Sequence, residues 1–168
     1  VKVLDSRAPS LADSIRSELG RSSDQLQCIV QLFQQTDNFA DNLQINDALA
    51  SNAIFEAFKP FQSDFARLLR SDLKSQRAFV VPGSAASVDE IVAAVQQSVP
   101  TFFGTMEAAV GRCDAFTKGM ALAGLVGSLD EFAGVYYDAL KASLPVLRKQ
   151  AEAEAMAALA DRDEVEEW

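Results

Sequence analysis

The groups in this chain that could do chemistry are two thiols and a few clusters of carboxylates. Cys28 and Cys113 lie far apart, each among apolar neighbours on a helical pattern. They read as two buried free cysteines in a reducing compartment, with a disulfide as the alternative. Asp89–Glu90 and Asp130–Glu131 are adjacent carboxylates, and Asp163 to Glu167 is an acidic run. The first pair opens a helix, where the helix dipole favours negative charge. The second falls on the exposed face of a long helix, and the run reads as a solvated tail. The chain contains no histidine. A histidine-dependent nucleophilic triad is therefore ruled out, and so are the Glu-x-x-His pairs of a di-metal bundle. Two cysteines without histidine make a zinc site very poor. The expected catalytic, cofactor-binding and metal-binding residues are none. Removing Arg112 or Asp138 is expected to abolish no turnover.

Other residue types invite a functional reading and fit a structural one better. Gly119, Gly124 and Gly127 do not follow a strand, so they are not a dinucleotide loop. Three glycines in nine positions of a helical region need a reason, since each costs about 1 kcal/mol against alanine. Either another helix approaches closely there, or one of them marks a break with positive φ. The expectation is close approach at Gly124, between Leu122 and Leu125, and an indifferent site at Gly134. The phenylalanines read as core. Tyr136 and Tyr137 could each place a hydroxyl at a surface, and nothing in the sequence pairs with them.

All these residues must be positioned by helices. The chain has 168 residues, 49% hydrophobic and 23% charged, which suits one soluble domain with a core. Strand-like alternation is nearly absent. The class is all-α, an elongated antiparallel bundle occupying residues 1–168 as a single segment. The formal charge of −9 argues against nucleic acid and anionic membranes, which call for clustered Lys and Arg. No apolar run reaches the roughly 18 residues needed to cross a bilayer, and no signal peptide is visible. The chain opens on Val1 rather than methionine, which suggests a piece of something longer.

In order, residues 1–7 read as an entry strap. Pro9 fits a first helical turn, followed by Leu11, Ile15 and Leu19, with Gly20 as the stop. Ser22 with Gln25 resembles a capping box for a helix carrying Leu26, Ile29, Val30, Phe33, Phe39 and Leu43. Asn46 is placed to cap a third helix with Ala48, Leu49, Ile54, Phe55 and Phe58. Lys59-Pro60 ends or kinks it. A fourth helix follows with Phe61, Phe65, Leu68, Leu69 and Leu73 inward and Arg67, Arg70 and Lys74 outward. Residues 80–86 form the one clear loop. Ser87 with Glu90 is a strong capping box for a fifth helix with Val88, Ile91, Val92, Val95 and Val99 on one face. Pro100 is expected to bend that helix without ending it, because the apolar phase continues. From about Gly119 a final helix is expected to run on through Ser128, although Ser128 with Glu131 could open a separate one. Pro145 predicts a kink, and the acidic end from Asp161 is expected to fray. Phe103, Met106, Val110, Leu125, Leu129 and Phe132 are expected to be buried.

Two groups of residues carry a family resemblance. Phe55 to Gln62 reads FEAFKPFQ. It resembles the Tyr-Lys-Pro-Tyr-Gln element of the family of subunit seven of the conserved oligomeric Golgi complex, with Phe58 and Phe61 where that family usually has tyrosine. Ala108-Ala109-Val110-Gly111-Arg112-Cys113, then Thr117-Lys118-Gly119, Gly124-Leu125-Val126 and Ser128-Leu129 are similar to the second element. That element reads Ala-Ala-Val-Asp-Arg-Cys, Thr-Asn-Gly, Gly-Leu-Leu and Ala-Leu, with the same spacing; Gly111 replaces the usual aspartate. Phe132, Asp138, Arg148-Lys149 and the helix of Leu26 to Gln44 are also similar, so the likeness covers about residues 24–150.

The resemblance implies a segment of a helical rod in a non-enzymatic vesicle tether. Its place is the cytosolic face of the Golgi membrane, held there peripherally, and its work is retrograde intra-Golgi transport, Golgi organisation and glycosylation. The implied partners are the other subunits of the complex, with SNAREs, Rab GTPases and golgins as further ones, and no nucleic acid. Rigid presentation would be the mechanism, since a helix of 30 residues spans roughly 45 Å. The competing reading is an amphipathic bundle that binds membrane lipids, with Lys59, Arg67, Arg70 and Lys74 as its modest basic face.

Overall fold

A computed structural model describes residues 10–22, 24–42, 55–76 and 87–165, the last range with side chains as far as 157. Six helices lie in these residues: α1 (Leu11–Leu19), α2 (Gln25–Asn42), α3 (Lys59–Ser63), α4 (Phe65–Ser75), α5 (Val88–Thr117) and α6 (Leu122–Val165). No strand occurs among the described residues, and the all-α class holds. The entry strap, Pro9, Leu43, the start of the third helix from Asn46 to Ile54, and the loop at 80–86 lie outside the described residues.

Local chemistry explains the helix ends. Ser10 caps α1, its hydroxyl accepting from the Asp13 amide at 3.2 Å. Gly20 closes α1 as expected, but with φ −62° and no left-handed turn. The capping box at Ser22 and Gln25 is not formed. Asp24 takes the role, accepting from the Gln27 amide at 3.0 Å, while the Ser22 hydroxyl accepts from the Asp24 amide. A carboxylate one position before the helix reaches its free N–H groups better than a hydroxyl three before it. The box at Ser87 and Glu90 is formed in both directions. The Ser87 amide donates to Glu90 at 2.8 Å, and the Glu90 amide donates to the Ser87 hydroxyl at 3.3 Å.

Pro60 sits in the first turn of α3, where its missing N–H costs nothing. The expected fourth helix is split at Asp64 (φ −94°, ψ 5°) into α3 and α4. Pro100 and Pro145 both lie inside continuous helices. Continuity across Ser128 is borne out, with the start at Leu122 rather than near Gly119. Ser128 does not cap a new helix; its hydroxyl donates back to the Gly124 carbonyl at 2.7 Å. The helical backbone extends through Val165, past the point where fraying was expected.

The chain forms two compact units, Val1–Gln76 with Glu107–Leu129, and Arg77–Met106 with Asp130–Trp168. In the first, Phe33 is central. Its ring meets Phe55, Phe58 and Phe116 at 5.5, 5.2 and 5.3 Å, the last two edge-on. Phe61, Phe65, Leu68, Leu69 and Leu73 are all buried, as their spacing predicts. In the second unit, Phe102 stacks on Tyr136 at 4.3 Å and on Phe132 at 5.5 Å.

Several core expectations are corrected. Leu125 and Phe132 are buried, but Phe103 is 61% and Val110 49% exposed. Met106 and Leu129 are half-buried. The buried row of α5 is instead Ile91, Phe102, Ala109, Cys113 and Phe116. Val92 and Val99 on α5, Leu122 and Val126 on α6, Met120 in the turn before α6, and Phe39 on α2 are likewise exposed. These apolar arcs are wider than the part that a neighbour covers, and spacing alone does not say which edge is covered.

Candidate functional site

The element richest in family-like residues is the turn between α5 and α6, in the first unit. Thr117 is fully buried. Its hydroxyl donates to the Cys113 carbonyl at 2.7 Å and accepts from the Ala121 amide at 3.3 Å, tying the end of one helix to the start of the next. Lys118 (φ 50°) and Gly119 (φ 80°) turn the chain through the left-handed region. The break expected at one of the three glycines is thus at Gly119.

One side chain from elsewhere clasps this turn, and another holds α5 more than a helical turn before it. Gln62, the last residue of the FEAFKPFQ element, donates its amide to the Phe116 carbonyl at 2.7 Å. That carbonyl is one of the last of α5, and the Met120 amide that would serve a continuing helix bonds Thr117 instead. Arg112 donates to Asp72 on α4 at 2.9 Å, their side chains only 13% and 7% exposed. Both carboxylate oxygens of Asp72 also accept from the Gln76 side-chain Nε2, at 3.0 and 2.9 Å. The Arg112 Nε is buried without an acceptor among the described residues.

At Gly124 the close approach is confirmed. A Cβ there would stand 2.7 Å from the Ala66 Cβ. At Gly127 the nearest atom is the Arg70 guanidinium at 3.8 Å, and Gly134 faces open space. A cleft of about 450 Å³ opens beside the turn, lined by Lys59, Gln62, Ser63, Ala66, Met120, Ala121 and Gly124. Lys59, its ionisable lining group, is paired with Glu56 at 2.6 Å. No base among these lining residues stands ready to activate Ser63.

The remaining candidates are dispersed. Cys28 and Cys113 are both free, but Cys28 is exposed, correcting the expectation that both are buried. Two positions after Leu26, it falls on the opposite side of α2 from the core residues. Its sulfur lies 3.2 Å from the Ser22 hydroxyl. Tyr136 is buried and its hydroxyl shares a hydrogen bond with Ser98 at 2.8 Å, whereas Tyr137 is exposed. Asp89, Glu90, Asp130 and Glu131 lie at exposed helix positions, as expected. Asp64 holds Arg67 through both carboxylate oxygens, at 2.9 and 2.8 Å to Nε, and this hydrogen bonding with its charge raises the guanidinium pKa above its ordinary value. No group of three or more Cys, Asp or Glu among the described residues is placed to hold a metal. Sequence reasoning missed the partners of Arg112 and Gln62; their place in the two family-like elements was the available signal.

Comparison with known proteins converges on one family. The family model described as Golgi complex component 7 (COG7) matches residues 1–168. The chain is 24% identical to the human conserved oligomeric Golgi complex subunit 7 over 164 residues, covering 89% of this chain and 21% of that protein. The rat subunit is 26% identical over the same length and shares. The Arabidopsis thaliana subunit is 28% identical over 142 residues, 73% of this chain and 17% of that protein. The chain thus spans about a fifth of the length of the relatives it matches. No solved structure matches it significantly. With a family model matched from its first residue to its last, this chain belongs to the Golgi complex component 7 family.

Proposed function

We propose that this chain is a non-enzymatic, all-helical segment of a multisubunit Golgi vesicle tether acting in retrograde intra-Golgi transport, and through it in Golgi organisation and glycosylation. The observation that carries the reading is the match of the Golgi complex component 7 model to the whole chain. The geometry supports it. The residues of the family-like elements hold helices together: Gln62 satisfies a carbonyl, Arg112 pairs with Asp72, and Gly124 admits Ala66. The segment works by presenting rigid helical faces to other subunits of the complex, and beyond them to SNAREs, Rab GTPases and golgins. Its place is the cytosolic face of the Golgi membrane, peripherally attached. No helix among the described residues is long and apolar enough to cross a membrane.

The lipid-binding reading has less support. Of its four basic residues, Lys59 is paired with Glu56 and Arg67 with Asp64, which cancels much of the field an anionic surface needs. Affinity purification of the full-length protein from Golgi extract tests the proposal. Recovery of the other subunits of the Golgi complex is expected. Their absence, or flotation of the purified protein with protein-free anionic liposomes at physiological salt, would overturn it.

A further inference from the structure

In the first unit, α1 is held by apolar contact and one cation. It has 9 residues, fewer than the roughly 12–15 at which an isolated helix persists in water, so it depends on its seat. Two of its side chains, Ile15 and Leu19, are buried there, while Leu11 stays exposed. The Arg16 guanidinium stands over the Phe61 ring of α3, 5.8 Å from its centroid. Among the described residues, every hydrogen bond and ion pair of residues 10–21 closes within residues 10–22. By contrast, Gln62 ties α3 to α5 at 2.7 Å and Asp72 ties α4 to α5 at 2.9 Å. The seat of α1 is also incompletely filled. A cavity of about 190 Å³ separates Arg16 and Leu19 on one side from Phe61, Asp64, Arg67 and Leu68 on the other. Side chains that border a void make no dispersion contacts across it.

We infer that α1 is a releasable lid: it lifts as a unit about Gly20 to Ser22 and uncovers Phe61 and Leu68 while the rest of the first unit stays folded. Lifting it breaks no hydrogen bond to another helix and strands no charge. Arg16 keeps Asp13 within α1, and Arg67 keeps Asp64 on the seat. The cost is the renewed exposure of Ile15, Leu19 and the surface they cover. The far side of the pivot stays fixed, because the Ser22 hydroxyl accepts from the Asp24 amide at the start of α2, at 3.2 Å. The core left behind does not need α1. Phe33 packs against Phe55, Phe58 and Phe116, and none of these rings belongs to the lid. Elements with few buried contacts open below the free energy of global unfolding. With α1 seated, Phe61 is buried. With it lifted, an aromatic ring flanked by Asp64 and Arg67 faces solvent, so the lid sets whether this face of α3 and α4 is accessible.

The test uses the purified full-length protein carrying Leu68→Cys or, separately, Leu69→Cys, with thiol labelling followed peptide by peptide by mass spectrometry. Both leucines are buried, but Leu68 borders the cavity under α1 and Leu69 does not. The thiol at position 68 is expected to label at least tenfold faster than the one at 69, at a rate that low denaturant leaves unchanged, since local opening exposes little surface. Adding Ile15→Ala/Leu19→Ala is expected to speed labelling at 68 at least tenfold more, with labelling at 69 and the melting midpoint little changed. Equal rates at the two positions, with the same steep denaturant dependence, would show that α1 opens only with the whole unit and would overturn the inference. So would labelling at 68 that Ile15→Ala/Leu19→Ala leaves unaltered, or a steep fall in midpoint on that change. The unsubstituted protein provides a check that no variant can spoil. Its backbone amides from Ile15 to Leu19 are expected to exchange with deuterium at least tenfold faster than those from Leu68 to Leu73, and equal protection would overturn the lid.

Discussion

Arg112 on α5 reaches Asp72 on α4 across forty positions of sequence, its Nη2 2.9 Å from the Asp72 Oδ2. The Gln76 amide holds the same carboxylate from its own helix. A buried pair of this kind adds little over a well-packed apolar pair, but removing one partner strands a buried charge. Arg112→Met is expected to cost about 3–5 kcal/mol in denaturant melts, and the double variant Arg112→Met/Asp72→Leu to recover most of that loss. Additive single losses would show that the two residues are not coupled.

Gly124→Ala places a methyl 2.7 Å from the Ala66 Cβ, a separation that side chains do not tolerate, so one helix must shift. A loss of about 1–3 kcal/mol is expected, as for other overpacked sites. Ala66→Gly in the same chain should return part of it. Gly134→Ala meets nothing within 4 Å and should be neutral or stabilising by up to about 1 kcal/mol. Equal effects at the two glycines would contradict the close approach.

Phe132 is buried in a ring stack and Phe103 faces solvent. Phe132→Ala should therefore lower stability by about 3–5 kcal/mol and Phe103→Ala by less than about 1 kcal/mol. Matching losses would mean that Phe103 is covered within its own chain.

Lys118 adopts φ 50°, a conformation in which Asn is several-fold enriched over other non-glycine residues. Lys118→Asn should raise the melting midpoint, with a gain of a few tenths to about 1 kcal/mol, because Asn tolerates the left-handed region better. Gly119→Ala, at φ 80°, should lose more than that. A destabilised Lys118→Asn would show that the lysine makes a contact worth more than the backbone strain.

Stepwise patterns in the sequence determined much of the fold. The reciprocal cap of Ser87 and Glu90, the inward face of Phe61, Phe65, Leu68, Leu69 and Leu73, and the unbroken α6 across Ser128 follow from interactions within four residues of one another. The positive φ among the glycines was also legible, because few other residues accept it. Tertiary structure alone decided which edge of each apolar arc is covered. On α5 it selected Phe102 over its neighbour Phe103. It also decided the partners of Arg112 and Gln62, and which helix arrives at Gly124. Such contacts join residues some forty to sixty positions apart, and helical periodicity carries no information about which distant helix arrives at a given face.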